Sequence, residues 1–234
     1  MNSSYSVIIP TFNAEATIGE AIASIFAQSI APAAIFVVDD GSTDNTGIAA
    51  AEMGGPVHVI HKENGGPGSA TTLGLRLAVT PFVATLDADD IWLPWKMERQ
   101  LAGLEANSNV TGIFALGRLF RDGEKPDPNA KGAIVRLWTR TTMVFRTEAA
   151  HAIGDLADFP GYLGELVDWL DRSRDLGHTH VMLEDVLAMR RVRPGSLSHT
   201  GRSDRTLGYL HAARRAIERR KQKADASRTG SGDE

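Results

Sequence analysis

Three aspartates follow a short apolar stretch in the first half of the chain: Asp87, Asp89 and Asp90 come directly after FVATL at 82–86. The apolar stretch is typical of a buried strand in a parallel sheet. Three carboxylates at one strand end repel one another unless a cation offsets their charge. Mg²⁺ and Mn²⁺ bind through one or two carboxylates together with substrate phosphates. The stretch predicts either a divalent-cation site or a solvated acidic turn.

The direction of these side chains is also predictable. Residues two positions apart in an extended chain point the same way, so Asp87 and Asp89 are expected on one side. Asp90 is expected to point elsewhere and to cap the helix that follows Pro94.

Two further loops carry groups that could contact a ligand. DDGSTD at 39–44 follows the apolar run IFVV and begins with two carboxylates, and a carboxylate at the edge of a cleft could accept the N–H of a pyrimidine or the hydroxyls of a ribose. The stretch NGGPGS begins with Asn64, and its glycines would let the backbone approach a ligand before a helix N-terminus, which favours phosphate. A tight turn and a flexible βα loop remain the alternatives.

The elements around these loops alternate between strand and helix four times. Apolar runs at 6–10, 35–38, 57–60 and 82–86 are separated by segments with helical periodicity. This order predicts an α/β fold with a doubly wound, Rossmann-like mixed sheet. In such sheets the ligand lies beyond the carboxyl ends of the strands, where both acidic clusters fall.

The second half has a different pattern and is expected to extend the same sheet. Strands are predicted at 110–120, 133–146, 179–183 and 186–192, and helices at 147–153 and 164–176.

The C-terminal segment is rich in basic residues. TLGYLHAARRAIERRKQK at 206–223 predicts a basic helix with a thin apolar stripe of Leu207, Leu210 and Ile217. Packing on the domain or solvation is favoured over peripheral contact with an anionic membrane. ADASRTGSGDE at 224–234 is predicted to be a disordered tail.

Composition excludes several classes of site and partner. The chain has no cysteine, which rules out disulfides and thiolate metal sites. Its formal net charge of -4 argues against nucleic acid as a partner. Neither a signal peptide nor an apolar run of about 20 residues is seen, so a cytoplasmic protein is expected. The motifs G-x-G-x-x-G and G-x-x-x-x-G-K-S/T are absent.

Four stretches carry a family resemblance, in order and spacing: VIIPTFNAEATIGEAIASIFAQS, FVVDDGSTDNT, ENGGPGSA and LDADDIWLP. Together they resemble the nucleotide-sugar-binding half of family-two glycosyltransferases, over roughly the first hundred residues. The resemblance implies the A-type glycosyltransferase fold and a nucleotide-diphosphate sugar as donor. It also implies Mg²⁺ or Mn²⁺ and inverting transfer to an acceptor hydroxyl on a glycan, a lipid-linked sugar or another molecule.

The same resemblance implies roles for particular residues. Pro10 and Thr11 would border the base, and Asp40 would hold it. Asp87 would touch the ribose or the metal, and Asp89 would be the direct metal ligand.

The resemblance leaves two candidates for the general base. Family members place a Glu-Asp pair at the start of a helix in the second half, where this chain has Glu165 and Leu166. Glu165 is therefore the preferred base and Asp168, three residues on, is the other candidate. Both could instead be ordinary acids of a first helical turn.

Two further departures concern donor binding. The family's Ala-Arg-Asn after the glycine-rich loop is Ala70-Thr71-Thr72 here. Where many relatives have a histidine near the end of the domain, Arg191 or Arg193 could bind the diphosphate, or either could lie on a solvated strand face.

These observations leave two functions. The first is a metal-dependent inverting glycosyltransferase with a domain at 1–200, divided into a nucleotide-sugar-binding half at 1–106 and an acceptor half at 107–200; a basic helix and flexible tail follow at 201–234. The second, suggested by Leu166, is a non-catalytic nucleotide-sugar-binding protein that regulates or scaffolds a partner.

Overall fold

The computed structural model describes residues 3–193 and 202–229, and these form an α/β fold. The elements are β1 (Tyr5–Thr11), α1 (Ile18–Phe26), β2 (Ala34–Asp39), α2 (Thr46–Glu52), β3 (Val57–His61), α3 (Pro67–Leu77), β4 (Phe82–Thr85), β5 (Ile91–Trp92), α4 (Lys96–Ala106), β6 (Val110–Arg121), β7 (Ile134–Leu137), β8 (Val144–Arg146), α5 (Thr147–Ile153), α6 (Glu165–Asp175), β9 (Thr179–Val192) and α7 (Arg202–Thr229). Short 3-10 turns at Arg140–Thr142 and Pro160–Tyr162 precede β8 and α6.

The strands of the described residues join into one mixed sheet in the order β3-β2-β1-β4-β8-β6-β9-β5, with β7 paired to β6. β1 pairs in parallel with both β2 and β4, so the direction of strand addition reverses between β1 and β4. β8 then pairs antiparallel to β4. The doubly wound mixed sheet predicted from the sequence is therefore confirmed, and the reversal opens a cleft at the carboxyl ends of β1 and β4.

Apolar side chains on the two faces of the sheet form two core clusters. Ile9 of β1 packs on one face with residues of α1, α2 and α4. Its neighbour Ile8 packs on the other face with residues of α3, α5 and α6. Adjacent side chains of a strand point to opposite faces, and both faces of β1 are covered by these clusters. β1 is therefore buried along its whole length and fixes the strand ends at the cleft.

Two strand predictions for the second half were wrong. The stretch 133–146 is broken by the turn Arg140–Thr142, because the turn's backbone carbonyls accept hydrogen bonds from side chains of Thr85, Trp92 and Gln100 instead of joining the ladder. The stretches 179–183 and 186–192 form a single strand, β9. Glu184 and Asp185 bulge out of its pairing with β6.

The C-terminal helix α7 packs along α6 through ion pairs. Arg219 contacts Asp168, Asp171 and Asp175 of α6, at 2.6, 2.7 and 3.3 Å. The apolar stripe predicted on this helix faces outward, since Leu207, Leu210 and Ile217 are exposed. The helix also continues through residues 224–229, which were predicted to be disordered, and residues 230–234 of that tail lie outside the described part. No helix in the described chain combines the length and apolarity needed to cross a membrane.

Candidate active site

A cavity of about 930 Å³ opens at the carboxyl ends of β1 and β4 and is lined by both halves of the chain. It brings together most of the residues singled out in the sequence: Pro10, Thr11, Asp40, Asn64, Asp87, Asp89, Glu165, Arg191 and Arg193. The hydroxyl of Thr11 is buried in its wall and has no hydrogen-bond partner within the described residues. A buried hydroxyl of this kind is costly unless a ligand or water pairs with it.

The two neighbouring aspartates after β2 have different surroundings. Asp39 accepts a hydrogen bond from the amide of Ser42 at 2.9 Å and lies 3.0 Å from the ring of His61, so it supports the loop. Asp40 reaches the cavity and accepts hydrogen bonds from the backbone amides of Gly65 and Gly66, at 3.0 and 2.7 Å. Its carboxylate thus holds the glycine-rich loop at the cavity wall.

The N-terminus of α3 is capped by a carboxylate of the same chain. The amides of Gly68 and Ser69 both donate to the Asp158 carboxylate, each at 2.7 Å. A Cβ on Gly68 would lie 2.7 Å from Asp158 Oδ1, so glycine is needed for this close approach. The expectation that this helix N-terminus receives a phosphate is not supported, because a carboxylate of the second half already takes those amides.

The three aspartates after β4 divide their tasks. Asp87 and Asp89 line the cavity, as expected from their spacing. Asp90 is buried and accepts the backbone N–H of Arg191 at 2.8 Å and a hydrogen bond from the Thr141 hydroxyl. The prediction that Asp90 caps the helix after Pro94 was wrong, because its carboxylate is used to join β4 to β9. Burial, and then the charges of Asp89 and Asp87, raise its pKa well above the usual range.

The donor set at Asp87 and Asp89 fits a divalent cation that also binds substrate phosphates. Burial, and then the charge of Asp87, raise the pKa of Asp89, so added positive charge would favour its ionised form. Within the described residues no group of three His, Asp or Glu side chains forms a closed metal cage. Two cavity carboxylates are enough for Mg²⁺ or Mn²⁺ when water and phosphate complete the coordination.

The two arginines predicted to bind a diphosphate are placed differently. Arg191 is buried, and its guanidinium contacts Glu20, Asp122 and the backbone oxygen of Asp89. It thus stabilises the strand end, which disfavours the predicted role. Arg193 has one third of its side chain exposed and lies 3.2 Å from Asp89 Oδ2, so it remains the better candidate for an incoming diphosphate.

The candidate bases at the start of α6 also separate. Glu165 lines the cavity and receives a hydrogen bond from Arg140 Nη1 at 2.6 Å. Leu166, at the position where the resemblance implies the usual base, packs its side chain into the core under α6. Asp168 is directed toward α7 and is surrounded by Arg172 of its own helix and by Arg215 and Arg219 of α7. The expectation that Asp168 could act as base is therefore disfavoured, because its carboxylate is bound by these three arginines and, unlike Glu165, does not line the cavity.

Several cavity residues were missed in the sequence. Arg140 joins Asp87 and Glu165, and Trp138, Tyr162 and Tyr209 form an aromatic rim with 39%, 39% and 48% of each residue exposed. Trp138 stands in a stretch interpreted as a strand, and Tyr209 on a helix interpreted as peripheral. No local motif marks them, since three separate segments bring them to one cavity.

Comparison with known proteins identifies a family to which this sequence is similar. The family model described as Glycosyl transferase family 2 matches residues 6–157. An uncharacterized glycosyltransferase, RP339, of Rickettsia prowazekii (strain Madrid E) is 38% identical over 112 residues, covering 48% of this chain and 35% of that protein. The UDP-Glc:alpha-D-GlcNAc-diphosphoundecaprenol beta-1,3-glucosyltransferase WfgD of Escherichia coli is 35% identical over 111 residues, covering 47% of this chain and 44% of that protein. The match spans less than half the length of either relative.

Solved structures share the fold at low sequence identity. The S. aureus TarS 1-349 structure in complex with UDP-GlcNAc has a TM-score of 0.69 at 21% identity, covering 85% of this chain and 61% of that one. The glucosyl-3-phosphoglycerate synthase of Mycobacterium tuberculosis, in complex with Mn²⁺, UDP and phosphoglyceric acid, has a TM-score of 0.66 at 20% identity, covering 91% and 78%. These similarities establish the A-type fold for this chain.

Proposed function

The chain belongs to glycosyl transferase family 2, and from that premise we propose that it transfers a sugar from a nucleoside diphosphate to an acceptor hydroxyl with inversion. The observation that carries the proposal is a cavity lined by Asp87 and Asp89 from the first half of the chain and by Glu165 from the second half. It combines groups suited to a charged donor with a carboxylate suited to proton transfer.

In the proposed reaction, the acceptor oxygen forms a bond with the anomeric carbon while the bond from that carbon to the diphosphate breaks. Glu165 takes up the hydroxyl proton, and the nucleoside diphosphate leaves with the bonding electrons. A single displacement inverts the anomeric centre. General base catalysis of this kind contributes about 10²–10⁴-fold to a rate.

The donor is proposed to lie along the first half of the cavity. Thr11, Asp40 and Asn64 would hold the nucleoside, and the unpaired buried hydroxyl of Thr11 supports a ligand there. Arg193 would contact the diphosphate. Asp87 and Asp89 would hold Mg²⁺ or Mn²⁺, which when bound supplies positive charge toward the leaving group. A mannosyltransferase of Pyrobaculum calidifontis with this fold is described in complex with GDP-Man and Mn²⁺, which supports a nucleotide sugar and a cation as ligands.

The acceptor is proposed to enter past the aromatic rim of Trp138, Tyr162 and Tyr209. Exposed aromatic faces at the mouth of a cavity suit the apolar face of a sugar ring. A glycan or a lipid-linked sugar therefore fits this rim better than a small anion.

Donor binding tests the first part of the proposal. UDP-glucose, UDP-N-acetylglucosamine and GDP-mannose would be titrated by calorimetry with Mn²⁺ and with EDTA. We expect one donor to bind in a Mn²⁺-dependent way, and Asp89→Ala to weaken it at least about tenfold. Asp127→Ala removes an exposed loop carboxylate and should change nothing. Equal affinity in wild type and Asp89→Ala would overturn the assignment.

Slow hydrolysis of the bound donor tests the second part. Glu165→Gln should keep donor affinity and lower the hydrolysis rate about 10²-fold or more, since the base is lost. Tight donor binding by the wild type without hydrolysis, and without turnover on acceptor panels, would instead favour the non-catalytic regulator or scaffold suggested by Leu166.

A further inference from the structure

A single arginine joins the donor side of the cavity to the candidate base. Arg140 Nε donates to Asp87 Oδ1 at 2.8 Å, and Arg140 Nη1 donates to Glu165 Oε1 at 2.6 Å. Its side chain is only 13% exposed and lines the cavity. We propose that Arg140 is a positioning residue that fixes the Glu165 carboxylate for proton transfer and couples it to Asp87. This inference rests on the proposed function.

The backbone around Arg140 is held in place. The carbonyl oxygen of Arg140 accepts a hydrogen bond from Thr85 Oγ1, at the end of β4, at 2.7 Å. The next residue, Thr141, contacts the carboxylates of Asp87 and Asp90 through its hydroxyl. The Arg140 guanidinium therefore projects from a turn that is fixed to the strand end, and its orientation is transmitted to Glu165.

Burial makes this contact important for Glu165. The Glu165 side chain is 6% exposed, and a buried carboxylate is costly unless it is paired and hydrogen-bonded. Its position in the first turn of α6 provides partial positive charge, but no fixed direction. Arg140 provides both charge and direction, because a guanidinium presents its N–H groups in a rigid plane.

The planar, forked shape of the Arg140 guanidinium matters for these contacts as well as its charge. Two different nitrogens of Arg140 reach two carboxylates from segments 78 positions apart in the chain, Asp87 and Glu165. A lysine ammonium is a point charge on a flexible stem and cannot hold both in a fixed relation. Arg140→Lys should therefore restore stability lost in Arg140→Met, yet recover only part of the rate.

The test is a double-mutant cycle on the full chain. Donor hydrolysis in Mn²⁺ would be measured for wild type, Arg140→Met, Glu165→Gln and the double variant, with UDP-glucose, UDP-N-acetylglucosamine and GDP-mannose as probes. We expect Arg140→Met to lower the rate constant about 10–100-fold at saturating donor and to change donor Kd less than about threefold. In the Glu165→Gln background the same change should cost less than about threefold, because its effect passes through Glu165.

A matched control is Arg136→Met on β7, which breaks an exposed ion pair with Glu184 of β9 and should leave the rate unchanged. Additive effects of Arg140→Met and Glu165→Gln, or a loss confined to donor Kd, would overturn the inference while leaving the proposed function intact. A wild type that binds donor without hydrolysis would remove the base role of Glu165 and this inference with it. A wild type that binds no donor would remove the proposed function as well.

Discussion

Gly208 of α7 lies in backbone contact with Leu163, two residues before Glu165. A Cβ built on Gly208 would come within 2.0 Å of the Leu163 carbonyl oxygen, and one built on Gly164 within 2.6 Å of the Gly208 oxygen. Two glycines therefore let α7 cross the chain directly beside the start of α6. The C-terminal helix is part of the wall of the candidate active-site cavity, to which it contributes Tyr209.

Gly208→Ala is expected to destabilise the protein by about 1–3 kcal/mol, because the added methyl group must displace α7 from the turn before α6. Gly19→Ala is the matched control in α1, where the new Cβ meets only Met53 Sδ at 3.8 Å. Removing a glycine from a helix without a clash should stabilise by about 0.5–1 kcal/mol. Urea unfolding of both variants measures the sign of each change in the free energy of unfolding. A stabilising effect of Gly208→Ala would contradict the close contact between Gly208 and Leu163.

Arg219→Met is expected to lower the free energy of unfolding by about 1–3 kcal/mol. The change leaves the buried carboxylate of Asp168 with fewer partners, and it removes the cation shared by Asp171 and Asp175. The control is Arg214→Met, whose partner Glu218 is exposed, so its effect should stay within about 0.5 kcal/mol. Equal effects of the two changes in chemical denaturation would count against a structural role for the α6–α7 ion pairs.

Asp158→Ala is expected to cost about 1–2 kcal/mol, because two amides at the start of α3 lose their acceptor. The glycine-rich loop also loses a fixed position, so donor affinity should fall several-fold in calorimetry. Asp155→Ala, three residues away, removes an exposed partner of Arg76 and serves as control. Unchanged thermal stability and donor affinity in Asp158→Ala would contradict the capping role.

Stability is expected to fall on acidification because of His180. Burial, with Arg174 and His178 adding to it, lowers the pKa of His180 to about 4 from an ordinary value of 6.5. Between pH 6.5 and 4 the unfolded chain therefore binds a proton that the folded chain does not, so the contribution present above pH 6.5 is lost as pH falls. The ring is only half-buried, which limits the loss to about 1 kcal/mol between pH 7 and pH 5.

The measurement for His180 is urea unfolding at pH 7 and pH 5 in wild type and His180→Gln. Glutamine can keep the hydrogen bond to Ser173 but does not titrate, so its stability should change less over this range. Identical pH dependence in the two proteins would contradict the assignment.

Much of the first half of the fold could be predicted because its strands are short apolar runs that end in turn residues. The run before Asp87 is buried throughout, and the run before Asp39 is buried except for the partly exposed Phe36, so local pattern and observed structure agree. The stretch around Arg140 could not be predicted in this way. Its carbonyls are satisfied by side chains distant in sequence, and this changed an expected strand into a turn.

The candidate site likewise contains residues that local motifs predict and residues that only contacts between distant segments reveal. Asp87, Asp89 and Asp40 stand in local motifs, and the structure brings them to the cavity as expected. The choice between Glu165 and Asp168 depended on α7 and the cavity, because Arg215 and Arg219 of α7 bind Asp168 while Glu165 faces the cavity. Such information is absent from spacing and periodicity, since it arises where separate elements meet.

The bond between Asp158 and the start of α3 has a consequence for how the domain assembles. It joins groups 90 positions apart, Gly68 and Asp158, so this contact requires a long loop of chain to close, at a cost in conformational entropy. The glycine-rich wall of the cavity is complete only when the second half has folded onto the first. The segment 1–106 carries most of the recognisable motifs and includes Asp40, which binds the amides of Gly65 and Gly66, but it lacks Asp158, which binds those of Gly68 and Ser69. Nucleotide binding would therefore report on completion of the whole domain and not on the presence of its motifs.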